Sequence, residues 1–253
     1  MSKTVKGCLQ CFVLICPAMN IIVTGASRGI GFETALLLCE QGHHVIAFGR
    51  TGSGLEKLQS ACRATGSDSR LMLLSGDLTS EKDIQQLVYT AKSLNSHIDV
   101  LIHNAGAILN KAFEKISQEE LRQVYEVNVF APFRLTQVLL PLMGGTAVSH
   151  VVVISSMGAV QGSSKFPGLT AYTSSKAAIT GLSEMLAEEL KDKNIRVNCL
   201  ALGAAQTEML EMAFPGYKAP LSAKEMATWI AWFALNGHNY FNGKILPVGV
   251  NTP

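Results

Sequence analysis

The sequence carries almost no excess charge: 21 basic and 19 acidic residues leave a net +2 at pH 7. With no basic block anywhere along it, neither nucleic acid nor an anionic membrane surface is an expected partner. Long apolar runs are missing as well. Cys11 to Cys16, and Met226 to Leu235 with Trp229, Trp232 and Phe233, are both too short to cross a bilayer, so no membrane span is expected. The six cysteines form no disulfide framework, because Cys8, Cys11 and Cys16 crowd together while Cys39, Cys62 and Cys199 stand far apart. Cys8-x-x-Cys11 has no answering pair at ligand spacing, and no metal site is expected. Repeats, low-complexity tracts and any linker long enough to divide the chain into separate domains are absent too.

Apolar residues are what the chain has, at 48% against 16% charged, enough to bury a large core. From Asn20 onward, short β-branched runs alternate with longer helical patterns. Strands are expected at Asn20 to Thr24, His44 to Phe48, Leu71 to Leu74, Ile98 to His103, His150 to Ser155, Ile195 to Leu200 and Lys244 to Val248. Most are hydrophobic throughout, as strands covered on both faces are. Helices are expected at Gly29 to Gln41, Leu55 to Ala64, Glu81 to Leu94, Gln118 to Met143, Tyr172 to Lys191 and Ala223 to Leu235. This alternation predicts an α/β fold: one Rossmann-type, doubly wound, seven-stranded parallel sheet flanked by helices.

Thr24-Gly25-Ala26-Ser27-Arg28-Gly29-Ile30-Gly31 joins the first strand to the first helix, the context a dinucleotide site requires. Glycines there let the backbone approach a pyrophosphate, whose charge meets free amides at the helix N-terminus. The second strand ends in Phe48-Gly49-Arg50, with no acid to hold a ribose 2′-hydroxyl. Arg50 and Arg28 can instead converge on a 2′-phosphate, which favours NADP(H).

Tyr172 and Lys176 are four apart at the start of a helix, which places phenol and ammonium on one face. A cation beside a phenol favours phenolate and brings proton transfer within reach near neutrality. With five tyrosines present, such a pair arises by chance in roughly a quarter of chains this size. A second copy, Tyr240 and Lys244, is broken by Asn242 and Gly243 and reads as a decoy. Company distinguishes the first copy: Ser155-Ser156 ends a strand just upstream, and Asn128 lies in the preceding long helix.

The glycine turn, this quartet and the strand–helix order resemble the short-chain dehydrogenase/reductase family over nearly the whole chain from Asn20, and its NADP-preferring members in particular. The resemblance implies catalysis by Asn128, Ser156, Tyr172 and Lys176, on a carbonyl or alcohol of a small molecule. Tyr172 would give the proton, Ser156 would polarise the carbonyl, Lys176 would hold the ribose and lower the Tyr172 pKa, and Asn128 would position a water. Cofactor contacts would come from Gly25, Ser27, Arg28, Gly29, Ile30, Gly31, Arg50, Asp77, Leu78, Asn104, Ala105, Gly106, Tyr172, Lys176, Gly203 and Thr207. Asp77 alternatively reads as a helix N-cap, and His103, where the family often has Asn, as a structural residue. The chain departs from the family in three places. Ser156 and Tyr172 stand about three residues further apart than usual, which leaves Ser155 open as the active serine. Leu202-Gly203 replaces Pro-Gly, and Val248-Gly249-Val250 lacks an acidic, glycine-rich tail.

Ile108, Leu109, Met157, Phe166, Met209, Met212 and Phe214 point to an apolar substrate, and the short stretch Thr207 to Pro220 to a fairly open pocket. The alternatives are a 3-oxoacyl-carrier-protein reductase and a non-catalytic NADP(H) sensor, the latter disfavoured by the intact Tyr172 and Lys176. By resemblance, a homodimer or homotetramer pairing the fourth and fifth helices is expected. Lys3 and Lys6 ahead of Cys11 to Cys16 look like a secretory signal, but a secreted enzyme would lack reduced nicotinamide. Met19 is therefore expected to be the natural start, with residues 1–18 a disordered extension, 19–253 one domain, and the location cytoplasmic.

Overall fold

The computed structural model describes residues 17–93 and 97–250. Cys8, Cys11, Cys16, nearly all of the expected N-terminal extension, and the expected helix end at Leu94 lie outside these residues. The chain runs β1 (Asn20–Thr24), α1 (Gly29–Glu40), β2 (His44–Gly49), α2 (Gly52–Ala64), β3 (Leu71–Ser75), α3 (Glu81–Lys92) and β4 (Val100–His103). It continues through α4 (Gln118–Tyr125), α5 (Ala131–Leu139), β5 (Ser149–Ser156), α6 (Thr170–Glu189), β6 (Ile195–Leu202), β7 (Ala205–Gln206) and α7 (Glu208–Ala213). Last come β8 (Leu221–Ser222), α8 (Ala223–Asn236) and β9 (Ile245–Val248).

Seven of these strands form one parallel sheet, in the order β3-β2-β1-β4-β5-β6-β9. Successive side chains of a strand enter opposite layers. Ile21 and Val23 pack with Leu38, Leu58 and Phe233 beneath α1, α2 and α8. Ile22 joins Leu87, Leu135 and Ile179 beneath α3, α5 and α6. Both faces are covered, which is why the strands read as unbroken apolar runs.

The helix expected from Gln118 to Met143 is not continuous. Residues Glu126–Phe130 form a π-helical segment between α4 and α5, and Leu140–Leu142 a 3₁₀ turn. Pro132 has no N–H to offer the carbonyl of residue 128, so the ladder widens there, and Pro141 stops α5. Strands β7 and β8 and helix α7 were not anticipated. They pair Ala205 with Leu221 and Gln206 with Ser222, tying off residues 207–220 as a closed loop. The sheet order reverses between β1 and β4, and a crevice opens beyond the carboxyl ends of those two strands.

Candidate active site

The crevice begins where β1 and β4 are stapled together. Thr24 Oγ1 donates to the Ile102 carbonyl at 3.2 Å and accepts from the Asn104 and Ala105 amides, each at 3.1 Å. The Asn104 side-chain amide donates to the carbonyls of Thr24 at 2.9 Å and Gly25 at 3.3 Å. Two glycines permit this approach. Gly25 has φ +70° and a Cβ on it would meet Ala105 Cα at 2.8 Å; one on Gly31 would lie 2.3 Å from Asn104 Nδ2. Arg28, in extended conformation, precedes α1 without a side-chain cap, and the first turn holds no acid. The positive end of α1 is thus left open toward the crevice.

Charged groups gather at one end. Arg50 follows β2 and is exposed at the rim. Arg28 Nη1 donates to Glu208 Oε2 at 2.7 Å, a partner that no sequence motif singles out. Asp77 Oδ1 accepts from both the amide and the hydroxyl of Thr79, at 2.9 and 2.8 Å. The N-cap of α3 is Ser80 rather than Asp77. Leu78 is buried beside it in the crevice wall.

Tyr172 and Lys176 project from the first turns of α6 into the same crevice, the Lys176 Nζ 6.0 Å from the Tyr172 ring centre. Lys176 is only 5% exposed and donates to the Ile154 carbonyl at 2.8 Å. Ser156, at the end of β5, lines the crevice with Tyr172 and accepts from the Gly158 amide at 3.2 Å. Ser155 faces the other way: its hydroxyl donates to the Lys176 carbonyl at 3.0 Å and pairs with Thr180. Asn128 is buried in the π-helical segment behind the crevice. Its Oδ1 accepts from the Ala107 amide at 2.8 Å, while Nδ2 donates to the Ala107 carbonyl at 2.9 Å and to Ser175 Oγ at 2.8 Å. Ser175 passes the connection on to the Tyr172 carbonyl at 2.7 Å.

Burial dominates the electrostatics. It pushes Lys176 down to about 8, against a small opposing effect of Cys199. It also raises Tyr172 above its usual value, offset to some extent by the Ser156 hydroxyl. The lowering of Tyr172 expected from its ammonium neighbour is therefore not found; burial of the phenol sets the direction, and the cation lies 6.0 Å from the ring centre. Burial, with Lys176 adding to it, holds His103 down to about 3. One His103 ring nitrogen meets Thr136 Oγ1 at 2.8 Å and the other has no partner.

The crevice encloses about 360 Å³, and every site residue expected from sequence lines it except Asn128. Ile108, Met157, Phe166, Met209 and Phe214 line its far end, while Leu109 and Met212 do not. Helix α7 forms a short lid along it, reaching from Arg28 toward Asn110 and Phe166. Asn110 Nδ2 donates to the Ala213 carbonyl at 2.8 Å, and Phe166 meets Phe214 edge-on with ring centres 5.1 Å apart. The decoy Tyr240 is 73% exposed and lies outside the crevice. Among the described residues no cluster of His, Cys, Asp and Glu could hold a metal ion, and no helix is long and apolar enough to cross a membrane.

This fold and site have known counterparts. The family model for short chain dehydrogenase matches residues 19–218, and the chain belongs to that family of oxidoreductases. A 3-oxoacyl-[acyl-carrier-protein] reductase, FabG, of Chlamydia trachomatis is 32% identical over 238 residues, covering 90% of this chain and 94% of that one. Human dehydrogenase/reductase SDR family member 4 is 30% identical over 250 residues, covering 92% and 86%. Among solved structures, a short chain dehydrogenase from Escherichia coli CFT073 complexed with NADPH superposes with a TM-score of 0.80 at 31% identity, covering 90% and 95%.

Proposed function

We propose that the chain is an NADP(H)-dependent enzyme that reduces a carbonyl, or oxidises the corresponding alcohol, of an apolar small molecule, with Tyr172 as proton donor and acceptor. One observation carries this reading: the Tyr172 phenol, the Ser156 hydroxyl and Lys176 line one crevice, and that crevice opens onto the glycine turn. The residues fit the cofactor. The uncapped start of α1 offers amides to a pyrophosphate, Arg28 and Arg50 offer cations to a 2′-phosphate, and no acid ends β2. Relatives bound to NADP or NADPH support the same choice.

When bound, the reduced nicotinamide supplies the hydride that the carbonyl carbon takes up. Ser156 donates a hydrogen bond to the carbonyl oxygen and polarises it. Tyr172, kept protonated by burial, gives its proton to that oxygen as negative charge develops there. Lys176 orients the ribose and stands behind Tyr172 as a proton source. Asn128 spends both amide hydrogens on Ala107 and Ser175 but keeps one lone pair of Oδ1. That lone pair leaves Asn128 able to accept from a water, the role in proton return that the family resemblance implies for it.

The apolar far end and the FabG-like relatives favour a second reading, a 3-oxoacyl-carrier-protein reductase. A panel of ketones, aldehydes and 3-oxoacyl thioesters, followed by NADPH absorbance, separates the two. Tyr172→Phe is expected to abolish turnover while leaving NADPH binding nearly intact; retained turnover would reject the proton donor. Residues 19–253 are read as one cytoplasmic domain. Exposed Leu121, Phe130 and Phe133 on the 118–139 face support a homodimer or homotetramer, which light scattering tests.

A further inference from the structure

The lid touches the glycine turn through one charged contact, Arg28 to Glu208, between residues 180 apart in sequence. Arg28 occupies the N-cap position of α1, and Glu208 is the first residue of α7. Their neighbours meet as well: the Thr207 methyl would be 3.6 Å from a Cβ on Gly29. Only one guanidinium nitrogen is engaged, so Glu208 holds Arg28 by a single contact between exposed side chains, one that a stronger anion can displace. Asp77 and Glu208 are the two carboxylates lining the crevice among the described residues, and Glu208 alone sits on a cation.

We propose that Glu208 is a latch that competes with the cofactor 2′-phosphate for Arg28, so that the phosphorylated dinucleotide frees the first turn of the lid. The inference rests on the NADP(H) reading above and adds a residue to it. A phosphate of nearly two negative charges cannot share one guanidinium with a carboxylate without bringing two anions within a few ångströms, and their repulsion favours exchange of partners. Glu208 has nothing else to hold it, because no other side-chain contact of its carboxylate is present among the described residues. The other end of the lid stays fixed through Asn110 to Ala213 and Phe166 to Phe214. Release is therefore local to residues 207–209. A dinucleotide without the 2′-phosphate leaves the latch closed.

The test uses the full chain and Glu208→Gln, with Glu208→Ala as a second variant should the amide disturb folding. Calorimetric titration compares 2′,5′-ADP with 5′-AMP, and NADP⁺ with NAD⁺, at low and high salt. Removing the carboxylate is expected to tighten 2′,5′-ADP and NADP⁺ roughly two- to fivefold, the range for a solvent-exposed pair. Binding of 5′-AMP and NAD⁺ should not change, and the gain should shrink in high salt. Hydrogen exchange of the 205–214 segment without nucleotide should be faster in the variant and equal to wild type with 2′,5′-ADP bound. Wild type that prefers 2′,5′-ADP, with variants that bind it no tighter or exchange no faster, overturns the latch and leaves the cofactor reading standing. Wild type that fails to prefer 2′,5′-ADP over 5′-AMP overturns both.

Discussion

Raising the pH should switch off productive NADPH capture near pH 8, well below where an ordinary lysine titrates. Lys176 is the group responsible. It is 5% exposed, its one protein acceptor is the neutral Ile154 carbonyl, and burial pushes its pKa from 10.5 down to about 8. The charged form orients the ribose and supplies protons, so its loss lowers kcat/KM for NADPH, the parameter that reports ionisations of the free enzyme. The rate should be halved near pH 8 and reduced about tenfold near pH 9. Tyr172, raised above its ordinary value by burial, ionises later and cannot produce this limb. The assay is initial NADPH oxidation with a reactive ketone from pH 6 to 10, on wild type and Lys176→Arg. The guanidinium stays charged throughout, so the arginine variant should lose the alkaline limb even if its plateau is lower. A wild-type profile flat to pH 9.5, or a limb that survives in Lys176→Arg, would refute the assignment.

Acid should unfold the chain through its buried imidazoles. Burial holds His103 down to about 3 and His150 to about 4, so the folded state stays neutral at both while the unfolded chain takes up protons below its ordinary 6.5. Stability is then lost as pH falls below 6.5, by about 2 kcal/mol per histidine at pH 5, and urea midpoints at pH 7 and 5 should show it. An unchanged midpoint in wild type, or an equal drop in His103→Asn, would count against the imidazole origin. Gly31→Ala should cost about 1–3 kcal/mol and most NADPH affinity, because the new methyl would lie 2.3 Å from Asn104 Nδ2 and 2.4 Å from the Gly25 carbonyl. Denaturation and nucleotide titration check both halves of that expectation.

The parallel sheet was legible because strands buried on both faces leave uninterrupted apolar runs, and all seven were found with their ends moved by at most two residues. The glycine turn was legible for a related reason: its spacing reflects two close backbone approaches that no side chain could tolerate. Other features depend on contacts distant in sequence. Glu208 is one charge among 19 acids until the fold sets it on Arg28. Strands β7 and β8 are two residues each, too short to carry a period, yet they determine that the lid is a closed loop. The break in the 118–143 helix was written in Pro132, but hydrophobic periodicity runs through a π-helical turn almost undisturbed and concealed it. The direction of the Tyr172 shift is hidden from the sequence, because a motif shows which cation is near and says nothing of how dry the site is.

Whether Ser155 or Ser156 serves the reaction follows from the pleat of β5. Adjacent residues of a strand point to opposite faces, so only one of the two hydroxyls can meet Tyr172. Ser155 is turned toward α6, where it bonds the Lys176 carbonyl and Thr180. Its replacement by Ala should cost about 1 kcal/mol of stability with kcat preserved. Ser156 is the one group that offsets the burial of the Tyr172 phenol, and its loss acts on both the carbonyl and the proton donor. Ser156→Ala should lower kcat by roughly 10²–10³ and move tyrosinate formation, followed by ultraviolet titration, to higher pH, with NADPH affinity unchanged. The two variants exchange their expected outcomes if the strand faces are reversed: a collapse of kcat in Ser155→Ala, with Ser156→Ala active, would place the polarising hydroxyl one residue earlier and require β5 to be rotated about its axis.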